Sequence, residues 1–105
     1  MNNFGGFVHN DITIITSVLK QHPEIDEAYL FGSRAKGNYR HGSDVDIALK
    51  GNSLNPEIIS RISFQLNEET SLPYKFDILN YHSISHNDLL QHIDRIGIRF
   101  YPEMK

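Results

Sequence analysis

Apolar residues at Val8, Ile12, Ile15 and Leu19 recur at helical spacing, which predicts a first helix over residues 8–21, capped by Asn10 or Asp11 and stopped by Pro23. The pattern then shortens to two apolar runs, Glu27 to Phe31 ended by Gly32 and Val45 to Leu49 ended by Gly51-Asn52, and both read as strands. Between them, residues 32–42 leave room for a helical turn or two after Ser33 and a loop from Gly37. Asn55-Pro56-Glu57 has the form of a cap followed by proline at the first helical position, and Ile58, Ile59, Ile62 and Leu66 carry an amphipathic helix to about Thr70 before Pro73 breaks it. Tyr74 to Leu79 alternates as a strand, and Ser85 to Gly97 forms a last helix with Leu89, Ile93 and Ile96 on one face. Ile98, Phe100 and Tyr101 continue the apolar surface. It reads as core, with enough left over to meet a partner helix.

The resulting order is α-β-α-β-α-β-α, which predicts an α/β (α+β) domain: a small mixed sheet of about three strands covered by helices. At 105 residues the chain has the size of one domain, 1–105, and a chain of this size buries somewhat over about 60% of its unfolded surface. The net charge of −3 and pI near 6.0 leave no broad basic surface, so long nucleic acid is not the expected partner. Without cysteine, disulfides and thiolate sites are excluded. No apolar run approaches the roughly 20 residues that a membrane helix requires. The start, Met1 to Gly6, lacks the basic and apolar regions of a signal peptide. Together these predict a cytoplasmic protein.

The chemistry gathers in the middle of the chain. Side chains alternate faces along a strand, so Asp44 and Asp46 project together while Val45, Ile47 and Leu49 turn to the core. Asp77, between Phe76 and Ile78 on a later strand, completes a cluster of three carboxylates if the two strands are neighbours. Such a cluster is self-repelling unless a cation lies within it. Oxygen ligands suit Mg²⁺ or Mn²⁺, and two such ions stabilise in-line displacement at phosphorus, so the cluster implies a phosphate-bearing substrate. Gly32-Ser33, at a strand end that opens into a helical turn, offers backbone N–H groups and a hydroxyl to an anion. Arg34, Lys36 and Arg40 add positive charge, and Arg34 has a fork that matches phosphate. His82 and His86 stand four apart without a third ligand and read as solvent-exposed.

Gly32-Ser33, ten intervening residues and then Asp44-x-Asp46, with Arg34, Gly37 and Ser43 between and Asp77 downstream, closely resembles the signature of the DNA polymerase β nucleotidyltransferase superfamily, in its minimal (MNT) branch. The resemblance covers the whole α-β-α-β-α-β-α order. It implies transfer of a nucleoside monophosphate, with AMP from ATP as the leading form, to an acceptor hydroxyl with release of pyrophosphate. By that resemblance Gly32 and Ser33, with Arg34 and Ser43, bind phosphate, and Asp44 and Asp46 hold two Mg²⁺ or Mn²⁺ ions. Asp77 completes the metal site nearer the acceptor and assists its deprotonation. Larger relatives carry an extra helical domain, whereas minimal ones resemble the MNT half of bacterial HEPN/MNT toxin–antitoxin pairs. The implied partner is therefore a helical HEPN toxin, with a partner tyrosine as acceptor. Two alternatives stand beside this: an antitoxin that neutralises its partner by occlusion without catalysis, and transfer to a small molecule, for which homodimerisation would supply the missing binding surface.

Overall fold

The computed structural model describes Phe7, residues 9–40 and residues 42–102. Helix α1 (His9–Leu19) presents Ile15, Val18 and Leu19 to the core together with Thr16. The Thr16 hydroxyl turns back to donate to the Ile12 carbonyl at 3.0 Å, which satisfies a polar side chain in apolar surroundings. The expected start at Val8 lies outside the described residues. The helix stops short of residue 21 because the chain tightens there, with the His22 N–H donating to the Leu19 carbonyl at 3.0 Å ahead of Pro23.

The two apolar runs form β1 (Glu27–Phe31) and β2 (Val45–Lys50), with a single helical turn, α2 (Ser33–Lys36), after β1. Helix α3 (Pro56–Glu68) begins as its sequence predicts: the Asn55 side chain accepts the Ile58 N–H and Pro56 opens the first turn. Its buried residues, Ile62 and Leu66, meet the sheet. Strand β3 (Phe76–Asn80) starts later than Tyr74, whose hydroxyl donates to Asp11 at 2.6 Å. A 3-10 turn at Tyr81–Ser83, helix α4 (Asn87–Ile96) and strand β4 (Ile98–Tyr101) complete the chain.

The sheet runs β3-β2-β1-β4. β2 is parallel to β3 and antiparallel to β1, and β4 lies antiparallel on the outer side of β1. The sheet is mixed, as expected, but it has four strands rather than about three. The residues read as spare apolar surface, Ile98 to Tyr101, are the fourth: Leu30 faces Ile98 and Tyr29 faces Arg99. Phe100 and Tyr101 pack against the main core, and Ile98 alone of this set stays 38% exposed.

Alternation divides the sheet into two faces. Ala28, Leu30, Val45, Ile47, Leu49, Phe76 and Ile78 enter one core with residues of α1 and α3. On the opposite face a smaller cluster joins Phe31, Ala48 and Ile93, with Leu79 and Leu89 packed against it, so α4 covers only part of that face. Asp46 and Asp77 belong to the same face by alternation. His82 and His86 are exposed, as expected. Among the described residues no helix is long and apolar enough to cross a membrane.

Strand β3 is an edge, and its first residue is held from outside. The Asn67 Oδ1 accepts the Phe76 N–H at 2.8 Å, and Asn67 Nδ2 donates to the Phe76 carbonyl at 3.1 Å, so one side-chain amide substitutes for a neighbouring strand. Replacing Asn67 with alanine leaves both backbone groups without that partner. The expected result is a loss of about 1–3 kcal/mol in urea unfolding. Asn67→Asp, which keeps the acceptor and loses the donor, should fall between wild type and Asn67→Ala.

Candidate active site

Asp46 lies between two neighbours that the topology supplies. On one side its register partner in parallel β3 is Asp77, on a strand about 4.8 Å away. On the other its partner in antiparallel β1 is Phe31, the residue before Gly32. The sheet therefore brings the carboxylate pair and the Gly32-Ser33 turn together at one end, although they lie far apart in sequence. Asp44 sits just before β2, two residues from Asp46 and on the same side by alternation, and is exposed, as is Asp77.

The electrostatics of this arrangement are unfavourable without a cation. The Asp46 carboxyl is pushed up to about 6, first by burial and then by the neighbouring Asp77 and Asp44 carboxylates. Among the described residues no group of three His, Cys, Asp or Glu side chains is already gathered closely enough to hold an ion. The donors are nevertheless all carboxylate oxygens that repel one another, a set that fits a hard divalent cation whose remaining ligands come from water and phosphate. Asp44, Asp46 and Asp77 are the residues that could hold one.

Gly32 is built against this cluster. Its backbone, at φ 75° and ψ −156°, lies in a region reached almost solely by glycine. A Cβ there would come to 2.2 Å from Asp46 Oδ2. Glycine thus serves two needs at once, the backbone conformation and the space for the carboxylate. Its carbonyl accepts the Lys36 N–H at 3.1 Å, and its N–H donates to His92 Nε2 at 3.1 Å. The Gly32 N–H is therefore directed to α4, and Ser33 opens α2 beside it.

Arg34 is held within the fold. The side chain is 5% exposed, and its Nε and Nη2 donate to the Ser43 carbonyl at 3.2 and 3.0 Å. The guanidinium also lies over the rings of Phe7, Tyr39 and Tyr74 at 5.0–5.2 Å. Its fork ties the loop to the aromatic residues, with carbonyl and ring faces around the charge. Ser43 is likewise part of the loop: its Oγ accepts the Arg40 N–H at 2.7 Å, and its own N–H donates to the Arg40 carbonyl at 2.9 Å. These bonds fix the end of the segment that delivers Asp44. Lys36 remains exposed.

The sequence comparison agrees with this geometry. The family described as polymerase beta, nucleotidyltransferase, matches residues 13–104. The chain belongs to this family. No curated protein matches it. Among solved structures, a toxin–antitoxin crystal structure with AMP-PNP is similar at TM-score 0.74 and 24% identity, over 90% of this chain and 75% of that one. The toxin–antitoxin MntA-HepT is similar at TM-score 0.65 and 23% identity, over 86% and 68%. A tri-AMPylated Shewanella oneidensis HEPN toxin in complex with MNT antitoxin follows at TM-score 0.66 and 23% identity, again over 86% and 68%. At these identities the structures establish a shared nucleotidyltransferase fold. Every candidate residue of this nucleotidyltransferase from Gly32 to Asp77 falls inside the family match.

His92 was not singled out from the sequence. It is a single histidine on a helix, sixty residues from Gly32, and no spacing rule connects the two.

Proposed function

We propose that this nucleotidyltransferase, acting as a single minimal domain over residues 1–105, transfers AMP from ATP to a tyrosine hydroxyl of a HEPN-type toxin and thereby serves as its antitoxin in the cytoplasm. The observation that carries the reading is the in-register pairing of Asp46 with Asp77 beside a glycine whose Cβ position would be filled by the Asp46 carboxylate. A cluster of mutually repelling acids beside an anion-binding turn has a use when phosphate and cation arrive together. The partner and the acceptor are drawn from the similar structures, which include toxin–antitoxin complexes and a tri-AMPylated HEPN toxin.

Asp44, Asp46 and Asp77 would hold Mg²⁺ or Mn²⁺, and these ions would offset the charge of the triphosphate and polarise its phosphorus. Ser33 receives the β and γ phosphates with its N–H and hydroxyl. Arg34 and Ser43 keep the loop from Gly37 to Asp44 folded so that the carboxylates stay aimed at that turn. The acceptor oxygen attacks the α phosphorus as the bond from that phosphorus to the bridging oxygen breaks. Pyrophosphate leaves with that electron pair. Asp77, exposed at the sheet edge, takes the acceptor's proton.

The test is incubation with Mg²⁺, α-labelled ATP and the co-purifying partner, beside the Asp44→Ala/Asp46→Ala double variant. Label on a partner tyrosine with wild type only is the expected result. Failure to transfer any of the four nucleoside triphosphates, with the partner still silenced by the double variant, would overturn transfer and leave occlusion as the mode of neutralisation.

A further inference from the structure

Gly32 is held by both of its backbone polar groups, and the two holds come from different parts of the chain. Its carbonyl is bound locally, by Lys36 N–H in the same helical turn. Its N–H is bound by His92 of α4 at 3.1 Å. Because a backbone N–H can only donate, Nε2 must carry the lone pair, and the ring proton sits on Nδ1. The ring is itself oriented, standing edge-on to Phe31 with centroids 6.1 Å apart and planes at 77°. Phe31 immediately precedes Gly32, so the stacking and the hydrogen bond act on adjacent residues.

We propose that His92 is a positioning residue for the phosphate-binding turn. By accepting the Gly32 N–H it holds the residue at φ 75° and ψ −156°, and through those dihedrals keeps the Ser33 N–H and hydroxyl directed at the nucleotide. Glycine makes this conformation accessible, but it also leaves the peptide many others. A turn built on glycine needs an external hold to be preorganised, and α2, a single turn of four residues with no side-chain cap at Gly32, does not provide one for the N–H. His92 provides it from a helix that is independently anchored. Ile93 is 2% exposed in the smaller core, and Tyr81 binds Asp94 at 2.6 Å. Removing the His92 acceptor therefore loosens the turn while α4 stays in place. His92 also shares with Lys36, Asp88, Gln91 and Arg95 a cavity of about 340 Å³ beside the turn, so the contact lies where solvent can compete for the N–H once the imidazole is gone.

The inference rests on the nucleotide reading above, and the experiment separates the two. His92→Phe keeps a ring to stack on Phe31 and has no acceptor, whereas His92→Gln keeps an acceptor in its amide oxygen. In the full chain, affinity for a non-hydrolysable ATP analogue with Mg²⁺ is measured by titration calorimetry, and exchange of the Gly32 amide by NMR. His92→Phe should bind the analogue roughly fivefold more weakly, the worth of about one net hydrogen bond, and its Gly32 amide should exchange faster. His92→Gln should recover most of both losses. Equal affinity in wild type and His92→Phe, or a His92→Gln variant as weak as His92→Phe, would overturn the positioning role. Wild type that binds no nucleotide would overturn the nucleotide reading, and unchanged Gly32 exchange in His92→Phe would overturn the His92 contact on its own.

Discussion

Asp46→Asn is expected to abolish transfer and, in protein stripped of divalent metal, to raise the melting temperature at neutral pH. The two effects have one cause. The Asp46 carboxyl stands near 6 against an ordinary 3.8, raised by burial and then by Asp77 and Asp44. The folded protein therefore holds this proton more tightly than the unfolded chain does. Below the unfolded value both states are protonated and there is no penalty. As pH rises through the window to about 6 the native state must give up a proton it favours, stability falls, and the full cost persists above that window. The rise from 3.8 to about 6 corresponds nominally to ~3 kcal/mol, but the carboxylate is partly solvated, and screening reduces the recoverable part to on the order of 1 kcal/mol. For a domain of this size that is about 4–8 °C. Added Mg²⁺ should raise the melting temperature of wild type and flatten its dependence on pH, and should do much less for Asp46→Asn. Transfer should drop by a factor on the order of 10³, several kcal/mol of lost charge stabilisation. A variant that melts lower than wild type without metal would show that Asp46 is stabilised by contacts within the fold.

Two carboxylates aimed together were legible from alternation, because period two is a local property of any strand: Asp44 and Asp46 share a side wherever the strand ends up. The cap at Asn55 was legible for the same reason, since donor and acceptor lie three residues apart. The parallel pairing that sets Asp77 opposite Asp46 could be expected only as a condition, because no local rule says which strands are neighbours. What could not be read depends on distant partners. The guanidinium of Arg34 has the same chemistry whether it meets a phosphate or the Ser43 carbonyl, and its place over Phe7 and Tyr74 is fixed only when those two rings, far apart in sequence, have packed against it. Strand β4 was hidden differently. Its four residues follow α4 after a single glycine, and a segment that short has too few positions to show a period distinct from the helical face before it.

A large loss from a single methyl group is expected at Gly32. Gly32→Ala meets two separate obstacles: the backbone at φ 75°, and a Cβ set 2.2 Å from Asp46 Oδ2. Gly37 offers a milder case of the first, since its φ 86° and ψ 3° are left-handed helical and nothing lies within 4 Å of an added Cβ. Gly37→Ala should therefore cost only the backbone strain, about 1 kcal/mol. Gly32→Ala must add the displacement of the Asp46 carboxylate, and a total of about 3 kcal/mol or more is expected in chemical unfolding. Relief can come only by moving Asp46 away from the turn, which separates the carboxylates from the phosphates, so transfer should be lost even in the fraction that remains folded. A double-mutant cycle decides whether the collision is the cause. With Asp46→Ala in place the carboxylate is gone, and Gly32→Ala should then cost clearly less than in the otherwise wild-type chain, keeping only its backbone strain. If instead the two substitutions at Gly32 and Asp46 prove additive, the cost of Gly32→Ala resides in the backbone alone and the close approach of turn and carboxylate is not what glycine preserves.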